Sequence, residues 1–355
     1  MKSNKIAEEI KNLIKLIVDN PYDSSNYLKL ANIYIKQNDY DLAVNVYKSL
    51  LEFEPENFIA LTNLGSIYFY KSDFKSAINL YSRVANSGVE NASVYFNLGN
   101  AYAENGEFQQ ALHNYIKALN ADKDNYQVYS AIALLYQDRQ NYDDALIYFE
   151  KALQLNNSVP DNYINVALVL RQLGRFSEAA EYFLKALALS PKNEDYMIYS
   201  ANALASSGDF EKSDELFEKA LKISPNSLQV LLCYAISLTE QLKLEKAEEL
   251  YKTAISYYPE SVNAYMLLGN LYSGMQKYEE AAEQYKKVLE INPANANAFT
   301  LLGNIYVMQN DLRSAVSCYK QAVDILPEND EIKLIYLEIV QEYINKKNEE
   351  AANAA

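Results

Sequence analysis

Apolar residues along this chain recur at i, i+3 and i+4, and that rhythm repeats every 34 residues. With position 1 set at Ser24, nine windows follow without insertion or deletion: 24–57, 58–91, 92–125, 126–159, 160–193, 194–227, 228–261, 262–295 and 296–329. In each window, apolar positions 4, 7, 8 and 11, then 17, 20, 21, 24, 27 and 28, describe two amphipathic helices. No alternating run is long enough for a strand. The pattern predicts an all-α chain of nine helical hairpins, preceded by one helix within 1–23 and followed by a capping helix over 330–347, with 348–355 a disordered tail.

Certain positions hold their character throughout. Position 8 is small (Ala31, Gly65, Gly99, Ala133, Ala167, Ala201, Ala235, Gly269, Gly303), and position 20 is Ala everywhere except Ser213. Position 24 is aromatic (Tyr47, Tyr81, Tyr115, Phe149, Phe183, Phe217, Tyr251, Tyr285, Tyr319), and position 17 is Tyr or Phe except at Leu244 and Leu312. Small residues let two helix backbones approach while aromatics fill the flanking gaps. A single hairpin cannot bury that surface alone, which is why such units stack.

The punctuation agrees. Positions 15 and 16 hold turn formers such as Asn38-Asp39, Ser72-Asp73, Gly106-Glu107 and Gly208-Asp209, whose acids can cap the second helix. Proline at position 32 (Pro55, Pro191, Pro225, Pro259, Pro293, Pro327) ends that helix, since it lacks the amide donor. Val89, Lys123 and Asn157 stand there instead in the second to fourth windows. Asn or Ser at position 34 offers the next N-cap.

This pattern of positions 4, 7, 8, 11, 20, 24, 27 and 32 resembles the tetratricopeptide repeat over residues 24–329. The resemblance implies a right-handed α-solenoid, with a groove lined by first-helix positions 2, 5, 6, 9, 12 and 13. On those positions the recurring stretch "NLGNAY" (97–102), echoed as "NLGSIY", "LLGNLY" and "LLGNIY", sets out asparagines. Asn63, Asn97 and Asn165 fall at position 6, and Asn32, Asn100, Asn202, Asn270 and Asn304 at position 9. An Asn amide offers both donor and acceptor, so such a ladder suits a peptide backbone whatever its side chains. The ladder resembles that of the arm of O-linked N-acetylglucosamine transferases, with no transferase domain attached. The chaperone-tail clamp that some relatives carry is disfavoured, because Leu28, Ser93 and Asn97 stand where its cations belong.

From the fifth window onward the same positions add Ile164, Leu168, Ile198, Leu232, Ile236, Met266, Leu267, Leu301, Val307 and Met308. Of these, Ile198, Leu232, Met266 and Leu301 are the expected apolar anchors for a bound segment, beside the eight asparagines.

Composition narrows the function classes. Half the residues are apolar, which is enough to bury a large core, and the net charge of −15 disfavours nucleic acid and anionic membrane surfaces. The N-terminal stretch is broken by charges and reads as neither signal peptide nor membrane span. Cys233 and Cys318 lie two windows apart, so no disulfide is expected, and both read as small buried apolar residues in a cytoplasmic protein. His113 is the single histidine and sits on an outer helix face, which leaves no triad or metal cluster to build. No phosphate-binding glycine loop is present. Neither cofactor nor metal is expected, and the chain reads as non-enzymatic.

The expected role is a scaffold or adaptor, monomeric or weakly self-associating, that binds a protein or peptide segment in its groove. One alternative is a substrate-presenting arm of a separately encoded enzyme or secretion system, such as a glycosyltransferase. Another is a self-assembling structural protein.

Overall fold

The computed structural model describes residues 2–88 and 90–354, so Val89 and its departure at position 32 lie outside the described residues. The chain is an all-α solenoid, and it divides into two compact units, Met1–Arg175 and Phe176–Ala355. The first holds α1 (Lys2–Asp19), α2 (Ser24–Lys36), α3 (Tyr40–Phe53), α4 (Phe58–Tyr70), α5 (Phe74–Ala85), α6 (Ala92–Glu104), α7 (Phe108–Ala121), α8 (Tyr126–Asp138), α9 (Tyr142–Leu155) and α10 (Pro160–Gln172). The second holds α11 (Phe176–Leu189), α12 (Glu194–Ser206), α13 (Phe210–Ile223), α14 (Leu228–Glu240), α15 (Leu244–Tyr257), α16 (Val262–Gly274), α17 (Tyr278–Ile291), α18 (Ala296–Met308), α19 (Leu312–Ile325) and α20 (Asp330–Ala354). No strand occurs among the described residues.

Each window supplies two helices, and the turns between them have one design. Position 15 is left-handed in all nine windows, with φ running from 58° at Gln276 and Asn310 to 88° at Gly208. Glycine and asparagine accept that conformation readily. Leu242 adopts it too, at φ 60°, with a bulky apolar side chain that is 80% exposed.

The caps at position 34 form as the sequence suggests. Asn57, Asn193, Asn295 and Asn329 accept the backbone N–H three residues on at 3.0, 3.0, 2.9 and 3.0 Å. Each such cap contributes about 1 kcal/mol. Val159 offers no acceptor, and there Pro160 opens the helix instead, where its missing N–H costs nothing. At position 16, Asp73 and Asp209 cap the second helix as expected. Asp39 and Glu107 do not: Asp39 lies in solvent, and the longer Glu107 side chain turns to accept from Asn105 Nδ2 at 2.6 Å.

Within each unit successive helices pack in chain order, and the small residues of positions 8 and 20 lie fully inside. First helices also touch the first helices of neighbouring hairpins: α4 with α6 and α6 with α8 in one unit, α12 with α14 and α14 with α16 in the other. α1 buries Leu13 and lies on α2, while α20 packs on α19. α20 does not end at 347 in a disordered tail. It continues to Ala354 through a run of Glu and Ala, residues that favour helix on their own account.

Candidate functional site

The asparagines of the first helices are tied to the aromatics of the second. In four windows, glycine at position 8 lies beneath the position-24 tyrosine of its own hairpin. A methyl placed on Gly65, Gly99, Gly269 or Gly303 would come within 2.7, 2.5, 2.6 or 3.0 Å of the ring carbons of Tyr81, Tyr115, Tyr285 or Tyr319. With no methyl there, each ring settles onto the first helix and its hydroxyl reaches position 9. Tyr115 donates to Asn100 Oδ1 at 2.8 Å, Tyr285 to Asn270 Oδ1 at 2.7 Å, and Tyr319 to Asn304 Oδ1. The Tyr81 and Ser66 hydroxyls pair at 3.0 Å.

Where alanine occupies position 8, the contact changes. Tyr47, paired with Ala31, accepts instead from Asn63 Nδ2 of the next hairpin at 3.0 Å, and Tyr251, paired with Ala235, lies near Thr239. The three remaining alanine windows carry phenylalanine at position 24, with no hydroxyl to satisfy. Five of the six position-24 phenols thus have a hydrogen-bond partner, in keeping with the rule that buried polar groups are paired. Burial pushes these phenols up, Tyr285 to about 12.

The expected site residues therefore divide by role. Asn100, Asn270 and Asn304 spend their carbonyl oxygen on a tyrosine, which leaves the amide N–H groups as their remaining donors. Asn63 spends a donor on Tyr47 and keeps its oxygen. Asn202 has no phenol beside it, since its window carries Phe217, and its side chain lies near the Cys233 thiol. Among the described residues Asn32, Asn97 and Asn165 make no side-chain hydrogen bond within the chain, and Asn32 is exposed. Polar groups on this face thus serve the fold as well as any ligand. The sequence carried a signal for this pairing in the joint occurrence of Gly at 8, Asn at 9 and Tyr at 24.

The apolar anchors divide as well. Ile198 is 1% exposed and belongs to the core with Leu187, Met197 and Phe217, so it is unavailable as an anchor; its side chain packs between helices instead of lining a groove. Ile164 is buried too. Leu301 is half-buried against the same core as Ile198. Leu232 and Met266, by contrast, line an open cavity of about 770 Å³ together with Cys233, Ile236, Leu267 and Asn270. Its wall is made of positions 1, 2, 5, 6 and 9 of α14 and α16, closed at one end by Asn295 and Asn297 beside α18. Cys233 is thus a wall residue and not a buried apolar filler, whereas Cys318 is buried and its thiol is pushed up to about 11 by that burial.

A second cavity of about 340 Å³ adjoins the first, sharing Ile236, Leu267 and Asn270. It runs between α14, α15 and α16, and Leu244 and Met275 lie along it. His113 is exposed beside Lys117 and Asn114 in a separate polar depression. Among the described residues no cluster of His, Cys, Asp and Glu could hold a metal ion, and no helix is long and apolar enough to cross a membrane.

Repeat length, turn geometry and the Gly–Tyr crossing define a tetratricopeptide-repeat array. The chain belongs to the family described as Cilia and flagella-associated protein 70 C-terminal domain, a tetratricopeptide-repeat family whose model matches residues 57–258, more than half of the chain. Models described as TPR repeat match 31–71 and 274–310, and one described as Tetratricopeptide repeat matches 296–329. No curated protein matches the sequence. Among solved structures, a tetratricopeptide repeat protein from Parabacteroides merdae is 19% identical over 70% of this chain and 98% of its own, with a TM-score of 0.55. That likeness is one of fold. Yeast Tom70 is 16% identical over 98% of this chain and 94% of its own, with a TM-score of 0.47. YrrB, described as a TPR protein with an unusual peptide-binding site, is 21% identical over 50% of this chain and 92% of its own, with a TM-score of 0.43.

Proposed function

We propose that this protein is a non-catalytic interaction scaffold that holds a segment of another protein against its first-helix face. The observation that carries the reading is the cavity of about 770 Å³ between α14 and α16, with apolar Leu232 and Met266 beside the amide of Asn270. Binding pockets combine an apolar lining with a few fixed polar groups, in volumes of about 300–1,000 Å³. Here the fixed polar group is an asparagine whose carbonyl is held by Tyr285, so its N–H groups are set to meet carbonyl oxygens of a bound chain. The cavity lining contains no Lys, Arg, Asp or Glu, which favours contacts indifferent to salt.

Selection of peptides from a displayed random library, followed by titration, tests this. Met266→Asp should weaken the selected peptides most, and raising salt to physiological strength should change affinity by no more than the few-fold worth of a single exposed ion pair. Peptides that bind Met266→Asp and the parent chain equally would overturn the reading.

A further inference from the structure

The smaller cavity owes its existence to departures from the repeat that converge on one place. Seven of the nine windows carry a Tyr or Phe ring at position 17; here Leu244 stands in its stead and lines the cavity. Position 9, polar in six windows, is Ile236 in this one, and it forms another part of the wall. On the facing helix, position 13 carries a side chain in every window but one, where it is Gly274. A Cβ built on Gly274 meets no heavy atom within 4 Å, so its missing side chain is open space and not a packing need. At the rim Leu242 sits at φ 60° with its apolar side chain in solvent. The left-handed backbone is the turn's own in every window; what sets this turn apart is an exposed apolar side chain where the other eight carry Gly or a polar residue.

The result is a ring-sized apolar pocket of about 340 Å³ that opens into the larger cavity at Ile236, Leu267 and Asn270. Across both cavities the lining holds one carboxylate, Glu240, and no Lys or Arg. Glu240 is exposed, so it is free to meet a cation at the rim.

We propose that this pocket anchors an aromatic side chain of the bound segment, and that a lysine or arginine next to that aromatic pairs with Glu240. The inference rests on the first-helix face being the binding face, and it names the partner's chemistry there. The occupant supplies the ring that Leu244 lacks, and Leu242 closes over it. The neighbouring cation answers the one charge in an otherwise uncharged lining.

Methionine methyl resonances make the test direct, because the chain has five methionines and three of them report distinct places. Met275 lines the small pocket, Met266 the larger cavity, and Met197 the buried core. The full chain, labelled with ¹³C-methyl methionine, is titrated with acetyl-Phe-Lys-amide, acetyl-Phe-Glu-amide and acetyl-Ala-Lys-amide. The expected result is a saturable shift of Met275 with Phe-Lys, no movement of Met197, and no response to Ala-Lys. Phe-Glu should bind about two- to five-fold more weakly, the worth of an exposed ion pair, and Glu240→Gln should erase that difference. Gly274→Phe, which fills the pocket from a position with free space, should abolish the Met275 response while leaving the melting temperature unchanged or higher. A still Met275, an equal response to Ala-Lys, or a response that survives Gly274→Phe overturns the proposal. If Met275 stays still while longer selected peptides bind at Met266, the pocket fails and the binding face stands. If Met275 responds but no longer peptide binds, the pocket stands and the scaffold reading fails.

Discussion

The Tyr115 hydroxyl donates to Asn100 Oδ1 at 2.8 Å across one hairpin, and its ring fills the space that a methyl on Gly99 would take. The glycine, the asparagine and the tyrosine are therefore one device: the first admits the ring, the second satisfies its hydroxyl. Tyr285 and Tyr319 repeat it with Gly269–Asn270 and Gly303–Asn304.

Substituting the glycine tests the steric half. Helix propensity alone favours Gly99→Ala by about 1 kcal/mol. Overpacking against Tyr115 costs about 1 to 3 kcal/mol and should prevail, so chemical denaturation should find the variant less stable. Gly274→Ala, with no neighbour near its Cβ, should be neutral or stabilising under the same measurement. Equal stabilisation of both variants would show that the ring does not rest on Gly99.

The polar half is testable by a cycle. Tyr115→Phe alone and Asn100→Leu alone should each cost about 0.5 to 1.5 kcal/mol, the net worth of a hydrogen bond. The double variant recreates what the fourth window already carries, Leu134 with Phe149. Its cost should therefore fall below the sum of the two, by a coupling read from denaturation midpoints. Strict additivity would mean the two groups do not act together.

Alkaline pH offers a third check. Below pH 10 the phenol is protonated in both folded and unfolded chains, so its contribution is constant. Above pH 10 the unfolded chain releases a proton that folded Tyr285 keeps up to about 12, and stability falls across that window. Each such tyrosine adds about 1.4 kcal/mol per pH unit to the slope. Tyr285→Phe should reduce the slope of stability against pH between 10 and 12, and leave it unchanged near neutrality.

Leu242 holds a left-handed backbone that costs a β-carbon residue roughly 1 to 2 kcal/mol. Leu242→Gly should recover part of that and raise the melting temperature. A lower melting temperature would assign Leu242 a packing role its exposure does not suggest.

Helices, turns and register were legible because a strict period places every small residue, aromatic and cap at a fixed offset. The position-34 caps could be read from identity alone, since Asn or Ser before a helix has one good use there. Asp39 and Glu107 could not be sorted from Asp73, because a capping bond depends on rotamer and side-chain length in nearly the same backbone. Ile198 shares position 5 with Leu232 and Met266 but is buried, and position within a repeat does not reveal how deeply a given helix sits. The asparagines were legible as a ladder but not as partners of tyrosine, since that bond joins residues fifteen apart through the absence of a methyl. The small pocket was hidden for a similar reason: it is made of side chains that are missing, Leu244 for a ring and Gly274 for any side chain.

A partner segment lying on the first-helix face should shield Cys233. Its thiol sits on the cavity wall, partly accessible, while Cys318 is buried. In a Cys318→Ser background, the rate of Cys233 alkylation is followed by mass spectrometry with and without a saturating peptide chosen by display selection. Burial raises the Cys233 pKa, so the reaction is best followed above pH 9, where more thiolate is present. The bound peptide should slow alkylation strongly, and Met266→Asp should restore the free rate at the same peptide concentration. An alkylation rate unchanged at saturation would place the peptide elsewhere on the molecule and rule out the first-helix face as its seat.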